Sequence, residues 1–403
     1  MPDYTLADFG TPAFNQNPFP IWEQLRQNEP LYRMDLPDGS HAWMITHYDD
    51  ILAISKDPRF IRDAKKLVPE EVRENMPPSV AAVRRMLGQQ MMNADPPEHT
   101  RLRQLVSKAF TPRMVEQLRG RIQQITDELL DRVEAHGQMD LIADFAFLLP
   151  VTVICEMLGV PVEDRDKFRV WSSFLVKPRE EQSQMEFLTI LNGFIDYIKA
   201  LLEEKRSYPD EKLLSRLIRV EEAGDKLSQD ELISMAFLLL VAGYETTVNL
   251  IGNGSLALLL HPQQMRKLQK EPALIVNAVE ELLRYSAPIT LTQRWANEDV
   301  ELHGKHIARG DAVYLALMAA NHEPAHFPNP EELDLAREPN EHLAFGKGLH
   351  FCLGAPLARL EGQIALQTLL RRFPNLHLTV KPEELKWRAS LGFRGLQALP
   401  VAF

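Results

Sequence analysis

Residues 345–354 read FGKGLHFCLG and set Cys352 among three glycines, a histidine and a lysine. A cysteine does nucleophilic or metal-binding chemistry as the thiolate, so the question is what would hold this one anionic. The residues that follow, LGAPLARLEG, put Pro356 in the first turn of a helix, which brings the sulfur near that helix's positive end. A free thiol titrates near ~8.5, and a helix N-terminus or a nearby cation lowers that value. Gly346, Gly348 and Gly354 let the backbone turn tightly and carry its N–H groups toward the sulfur. On these residues alone two readings stand: an anionic sulfur held against something large and flat, or a small buried apolar thiol. The other cysteine, Cys155 in PVTVICEMLGVP, reads as core. The two lie far apart with no C-x-x-C or His-x-x-His partner, which excludes a zinc ribbon, a thioredoxin-type pair and a disulfide framework.

The elements that must position Cys352 belong to a 403-residue chain, long enough for two or three domains or for one large layered fold. Hydrophobic residues at 45% and charged residues at 25% exclude the disordered and fibrous classes. A net charge of −11 argues against nucleic acid as a partner. The N-terminus has no basic start followed by an apolar run, so export is not expected. MAFLLLVAG at 235–243 is half of a membrane span, and FAFLLPVTVIC at 145–155 is interrupted by Pro150. A soluble, cytoplasmic chain with reduced cysteines and no membrane partner is expected.

The N-terminal part mixes helix and strand, with SHAWMITHYDDILAISKD passing from strand-like alternation into a helix near Tyr48. From about Pro97 to Leu283 one helical pattern follows another. The strongest, LSQDELISMAFLLLVAGYETTVNLIGNGSLALLLHP, opens with a Ser228/Glu231 capping box and a Leu227/Leu232 staple, and stops at Pro262. At about 1.5 Å per residue it makes a rod of ~48 Å, apolar around most of its circumference and therefore buried. After Pro288, LTQRWANEDVELHGKHIARGDAVYLAL reads as three strands broken at HGK and ARGD, and the tail from residue 375 again alternates strand and turn. There is no repeat or linker. The expected fold is mainly α with a small β-rich lobe, one domain over 1–403 with β-rich portions near 31–47, 289–318 and 375–403.

The pattern Phe345-Gly346-x-Gly348-x-His350-x-Cys352-x-Gly354 closely resembles the haem-binding loop of the cytochrome P450 family, where the cysteine thiolate is the axial iron ligand. Three distant segments agree. Ala242, Gly243, Glu245, Thr246 and Thr247 of AGYETT fit the family's oxygen-binding segment; Glu281 and Arg284 of EELLRY match its E-x-x-R, with Arg337 of LDLAR suited to complete a Glu-Arg-Arg network; and His99 and Arg103 of DPPEHTRLR match residues that contact a haem propionate. Alone, a Glu-x-x-Arg or a His-x-x-x-Arg is most often a solvated pair on a helix; their order and separation carry the resemblance. It spans essentially the whole chain. NADPPEHTRLRQLVSKAFTPR and AGYETTVNL look like the soluble bacterial branch that oxidises polyketides, macrolides and acyl chains. The chain departs from the family where many relatives have Asn-Arg-Asp-Pro and it has Asn321-His322-Glu323-Pro324.

The resemblance implies a P450 fold with haem b lying between the long helix and the helix after Cys352, and a monooxygenase that inserts one oxygen atom from O2 into a hydrophobic small molecule of polyketide, macrolide, fatty acyl, steroid or terpenoid type. Cys352 is the implied iron ligand; His99, Arg103, Arg294 and His350 the propionate contacts; Gly243, Phe345 and Gly346 further cofactor neighbours; and Glu245 with Thr246 an acid–alcohol couple that relays protons. Leu239, Ala242, Ile289, Leu291, Leu391 and Phe393, with the loop 76–93 and the region 168–191, are the implied substrate pocket, and Arg84, Arg85 or Arg394 could pair with a substrate carboxylate. The chain has no flavin or nicotinamide fingerprint and no cysteine cluster, so electrons from NAD(P)H would arrive through a ferredoxin or flavodoxin with its reductase. Arg101, Lys108, Arg113 and Lys347 are the implied docking patch for that acidic partner on a chain expected to be monomeric. A peroxide-driven peroxygenase and a haem sensor without turnover are disfavoured, since neither needs the acid–alcohol pair.

Overall fold

The structure is a computed structural model describing residues 4–36, 39–67, 88–164, 167, 170–171, 184–222 and 227–403. Its contacts divide the chain into two compact units, one of Met1–Ile61, Arg119–Leu149 and Thr246–Phe403, the other of Arg62–Leu118 and Pro150–Glu245.

The first unit holds the strands. Five form one sheet in the order Leu31–Asp35, His41–Ile45, Ala312–Leu315, Thr292–Ala296, Phe60–Ile61, antiparallel except where His41–Ile45 runs parallel to Ala312–Leu315. The inward residues Ile45, Val313 and Leu315 are fully buried in one core cluster with Trp43 and Phe327. The Trp43 indole N–H donates to the Asp311 carboxylate at 2.8 Å, so the polar edge of that ring is satisfied inside the core. Along the chain, the expected run of three strands after Pro288 is a run of four: Thr292–Ala296, Val300–Leu302, Lys305–Ile307 and Ala312–Leu315, the middle two forming a separate two-stranded sheet. The additional break falls at Asn297-Glu298-Asp299, turn formers with poor strand propensity. Val300–Leu302 and Lys305–Ile307 pair through the two-residue turn His303-Gly304, both at positive φ, the geometry that suits the twist of a tight hairpin.

A buried ionic knot fixes the chain that leads to the cysteine loop. Glu281 and Arg284, one helical turn apart on Ile275–Tyr285, are both fully buried and joined by two hydrogen bonds of 2.8 and 2.9 Å. Arg337 adds its own contacts to both Glu281 oxygens at 3.1 Å, and the Asp334 N–H and Asn340 amide complete the carboxylate's shell. The two guanidiniums spend their remaining donors on the carbonyls of Asn321, Pro328, Asn329, Pro330 and Glu332. A charge cluster this deep persists because nearly every donor and acceptor is matched.

The long helix, Gln229–Leu260, has the length and cap that its sequence announces: the Ser228 N–H donates to Glu231 at 2.7 Å and the Glu231 N–H to the Ser228 hydroxyl at 3.2 Å. Pro150 does not interrupt the apolar segment before it. A π-helical turn, Leu141–Ala146, leads into the helix Leu148–Leu158, where Pro150 falls in the first turn and its missing N–H costs nothing. Leu141–Leu158 and Gln229–Leu260 are each long and apolar enough to cross a membrane, yet 67% of each apolar window is buried inside the protein, as core helices are. Cys155 is buried in this apolar environment.

Glu361, on the helix Ala355–Arg372, is 1% exposed, and its Oε2 has no hydrogen-bond partner among the described residues. Burial pushes this carboxyl up to about 8. The folded chain therefore holds a proton that the unfolded chain releases near the ordinary glutamate value, so this group's contribution to stability is present at low pH and lost as pH rises through about 8. Glu361→Gln should gain stability relative to the parent between about pH 5 and about pH 9, on the order of a few kcal/mol. Urea unfolding midpoints across that range check it, and parallel midpoints for the two proteins would contradict it.

Candidate functional site

The cysteine loop is built from consecutive turns. The Gly346 N–H donates to the Leu343 carbonyl at 2.8 Å, the Phe351 N–H to Gly348 at 3.1 Å and the Cys352 N–H to Phe345 at 3.0 Å. Gly346 and Gly348 sit at φ of 69° and 75°, a region in which side chains are strained. At Gly348 a Cβ would also lie 2.7 Å from the Ser55 carbonyl oxygen, so there the loop needs glycine twice over. Gly348–His350 forms a single 3-10 turn with His350 half-buried. The following helix starts at Ala355 with proline in its first turn, so the partly accessible Cys352 lies just ahead of a helix N-terminus.

A cation that sequence reasoning passes over stands on the Phe345 ring of the cysteine loop. Arg359, one turn into the helix, places its guanidinium 4.6 Å over the Phe345 ring and donates two hydrogen bonds of 2.7 Å to Glu280. The Arg359 pKa is held above its ordinary value, first by those bonds to Glu280, with an anionic Cys352 adding to the effect. Burial would push Glu280 up, but its bonds to Arg359 and to His342 outweigh that and hold it down to about 2. The signal in the sequence was an arginine seven residues after the cysteine, one turn inside a helix whose start was already assigned.

On the long helix, Leu239, Ala242, Gly243 and Thr246 are partly or fully accessible while Leu238, Leu240, Tyr244 and Glu245 are buried. Leu239, Ala242, Gly243 and Thr246 fall at i, i+3, i+4 and i+7 and share one helix face, with Phe237 and Val241 also partly accessible beside it. At Gly243 the position of the absent Cβ lies 3.2 Å from the Ile154 side chain, so this glycine admits a close neighbour on that side.

In the second unit, the helix Glu98–Ala109 carries His99, buried, and Arg103, partly exposed. Asp95 accepts the backbone N–H groups of Arg62 at 2.9 Å and Asp63 at 3.1 Å, stapling that segment to the start of the helix. Burial lowers the His99 pKa, and Arg103 and Arg62 lower it further against the opposing pull of Asp95. With Lys66 3.2 Å from Asp95, four basic groups surround one acid, an excess suited to anionic groups. Arg62 was not expected here; burial pushes its pKa down to about 10, and its buried Nε has no partner among the described residues. In the first unit, Arg294 is buried on its strand and donates to the Gln293 carbonyl at 2.8 Å and the Thr292 hydroxyl at 3.3 Å.

The implied pocket residues separate. Phe393 is exposed at 39% and faces Ile289 across an isolated antiparallel bridge, in a turn held by Thr290 to Gly392 and Leu391 and by the Asn253 amide to the Arg394 carbonyl. Leu291 is buried in a core cluster with Phe9, Trp22 and Ala319, and is therefore core, not lining; Leu391 packs partly against the same cluster. Arg394 is also reassigned: its guanidinium stacks 3.9 Å from the Trp387 ring and donates to Asn15 at 2.7 Å and Ser286 at 2.6 Å, which leaves it tying two chain segments together. Arg101 is paired with Glu98 and Glu231, so its charge is compensated locally. Lys108 and Arg113 are exposed and Lys347 is half-exposed in the cysteine loop. Arg84, Arg85 and most of 76–93 and 168–191 lie outside the described residues.

Taken unit by unit, the residues present suit a haem: in the first, a partly accessible cysteine at a helix N-terminus, and in the second, a buried guanidinium Nε without a partner among the described residues, with His99 and Arg103 near it. Comparison with known proteins agrees. Residues 166–393 match the family model described as "Cytochrome P450". The chain is 48% identical over 411 residues to cytochrome P450 CYP107DY1 of Priestia megaterium, covering 100% of both chains. It is 45% identical over 393 residues to the polyketide biosynthesis cytochrome P450 PksS of Bacillus subtilis, covering 96% of each. Among solved structures, the myxobacterial cytochrome P450 CYP267B1 in complex with myristic acid superposes with a TM-score of 0.91 at 46% identity over 98% of each chain.

Gly348→Ala should cost more than Gly346→Ala, because the second meets nothing closer than 4.0 Å while the first strikes the Ser55 carbonyl. Strain alone is worth about 1–3 kcal/mol, and the clash adds to it. Haem retained per protein and the melting temperature should both rank parent, Gly346→Ala, Gly348→Ala; equal losses would contradict the assigned contact.

Proposed function

The chain belongs to the cytochrome P450 family of haem-thiolate monooxygenases, and on that premise we propose that it inserts one oxygen atom of O2 into a hydrophobic small molecule, with electrons from NAD(P)H delivered by a ferredoxin or flavodoxin and its reductase. The observation that carries the reading is the partly accessible Cys352 at a helix N-terminus in a loop closed by the Phe345 carbonyl. Cys352 would ligate the iron of haem b, and His350, Arg294, His99 and Arg103, joined by Arg62, would hold its propionates as charge-assisted donors. When bound, the haem supplies O2 activation driven by thiolate donation.

Thr246 and Glu245 then have separable tasks. Glu245 is 4% exposed and adjacent to the accessible helix face, so its carboxyl can hold a proton away from bulk water. Thr246 is partly accessible on that face, and its hydroxyl would take a proton from Glu245 and hold it on the haem side. Leu239 and Ala242 on the long helix, and Phe393 in the first unit, are accessible apolar side chains that would suit a polyketide, macrolide or fatty acyl chain over a polar metabolite, with steroids and terpenoids of similar polarity also admitted. The relative named for polyketide biosynthesis and the solved relative holding myristic acid support this class. Lys108 and Arg113 on the second unit, and Lys347 on the first, would each offer positive charge to an acidic electron donor. The two units would act as one monomeric, cytoplasmic haem-thiolate domain.

Thr246→Ala should continue to consume electrons while product per electron falls and peroxide rises in compensation, by up to the roughly 10²-fold of a lost proton-transfer group. Parallel assays of NAD(P)H oxidation, peroxide and product measure it. Unchanged coupling between electrons and product would refute the relay.

A further inference from the structure

Glu280 lies immediately before the ionic knot at Glu281 but takes no part in it. Its carboxylate points the other way and grips Arg359 at 2.7 Å through both oxygens, with the His342 imidazole 3.1 Å from one of them. The held guanidinium lies 4.6 Å over the Phe345 ring, and the Phe345 carbonyl receives the Cys352 N–H at 3.0 Å. Phe345 is also edge-on to Phe351, the neighbour of the cysteine. The chain of contact from carboxylate to sulfur-bearing residue is unbroken and lies within one compact unit. A two-toothed carboxylate fixes a guanidinium in plane and position far more tightly than one oxygen does.

We propose that Glu280 is a positioning residue for the cysteine ligand: by fixing Arg359 flat on Phe345 it sets how much positive charge the Cys352 sulfur feels, and hence how strongly that sulfur donates to a bound iron. This rests on Cys352 being the haem ligand. A cation nearer the thiolate withdraws donation and favours the ferrous state; a carboxylate that restrains and half-neutralises that cation does the reverse. Glu280 thereby acts only through Arg359.

The test is the ferric/ferrous potential of the haem-loaded protein and four variants, Glu280→Gln, Glu280→Asp, Arg359→Leu and the Arg359→Leu/Glu280→Gln double, measured by dye-coupled reductive titration. Glu280→Gln should move the potential positive, and Glu280→Asp, which keeps the charge, should return most of the shift. In an Arg359→Leu background the same Glu280→Gln change should move the potential by less than about half as much, because the element it acts through is gone. If that background does not take up haem, Arg359→Lys, which keeps the cation and loses the planar fork, serves in its place. No shift on Glu280→Gln, or the same shift with and without Arg359, overturns the proposal. The ferrous–carbonyl spectrum of the parent is recorded alongside: a thiolate-type band with no shift refutes the Glu280 role alone, whereas a histidine-type band overturns the haem-thiolate reading and this proposal together.

Discussion

The Cys352 N–H held by the Phe345 carbonyl is the contact on which the rest of the site depends, since it closes the loop that aims the sulfur and leaves it at the mouth of a helix. That closure is possible only because glycines occupy the two positive-φ positions and because the loop seats directly on the Ser55 carbonyl. Upstream, Asn321 accepts the Leu343 N–H at 2.6 Å and the Tyr48 hydroxyl donates to the Glu341 carbonyl at 2.7 Å, so the residues entering the loop are pinned before the first turn begins. The Glu281–Arg284–Arg337 knot pins the irregular stretch before those in turn. A chain without regular hydrogen bonding is thus made rigid by side chains that take its carbonyls one by one.

Two neighbouring glutamates divide this work. Glu281 faces inward, fully buried, and balances two arginines whose donors hold backbone; removing it would strand two buried cations, which is the costly way to break such a cluster. Glu280 faces the cysteine side and holds one arginine, partly accessible and stacked on an aromatic ring. Adjacent positions on a helix point about 100° apart, so one short segment serves both the scaffold and the loop. Charge placed near a donor sulfur changes its chemistry, whereas charge placed in the scaffold changes only whether the loop exists.

Much of this was legible in the residues because it is local. The capping box at Ser228 and Glu231, the length of the helix that follows, and the proline in the first turn after Cys352 are all set by neighbours within four residues. What was not legible depends on contacts across the chain. Leu291 and Arg394 looked like substrate-side residues until packing and hydrogen bonding took them into the core. Arg62 and Arg359 carry no motif of their own; they matter because folding brings one near His99 and the other over Phe345. Pro150 was misread because its cost depends on where the helix begins, and a π-turn ahead of it moves that start to Leu148.

The central claim is that the Cys352 sulfur is the iron ligand, and iron X-ray absorption on the haem-loaded protein measures that most directly. A first coordination shell with one sulfur scatterer that vanishes in Cys352→Ser, while Cys155→Ser leaves it in place, is the predicted result. A shell of nitrogen and oxygen alone in the parent protein, or a sulfur signal that survives loss of Cys352, would contradict it.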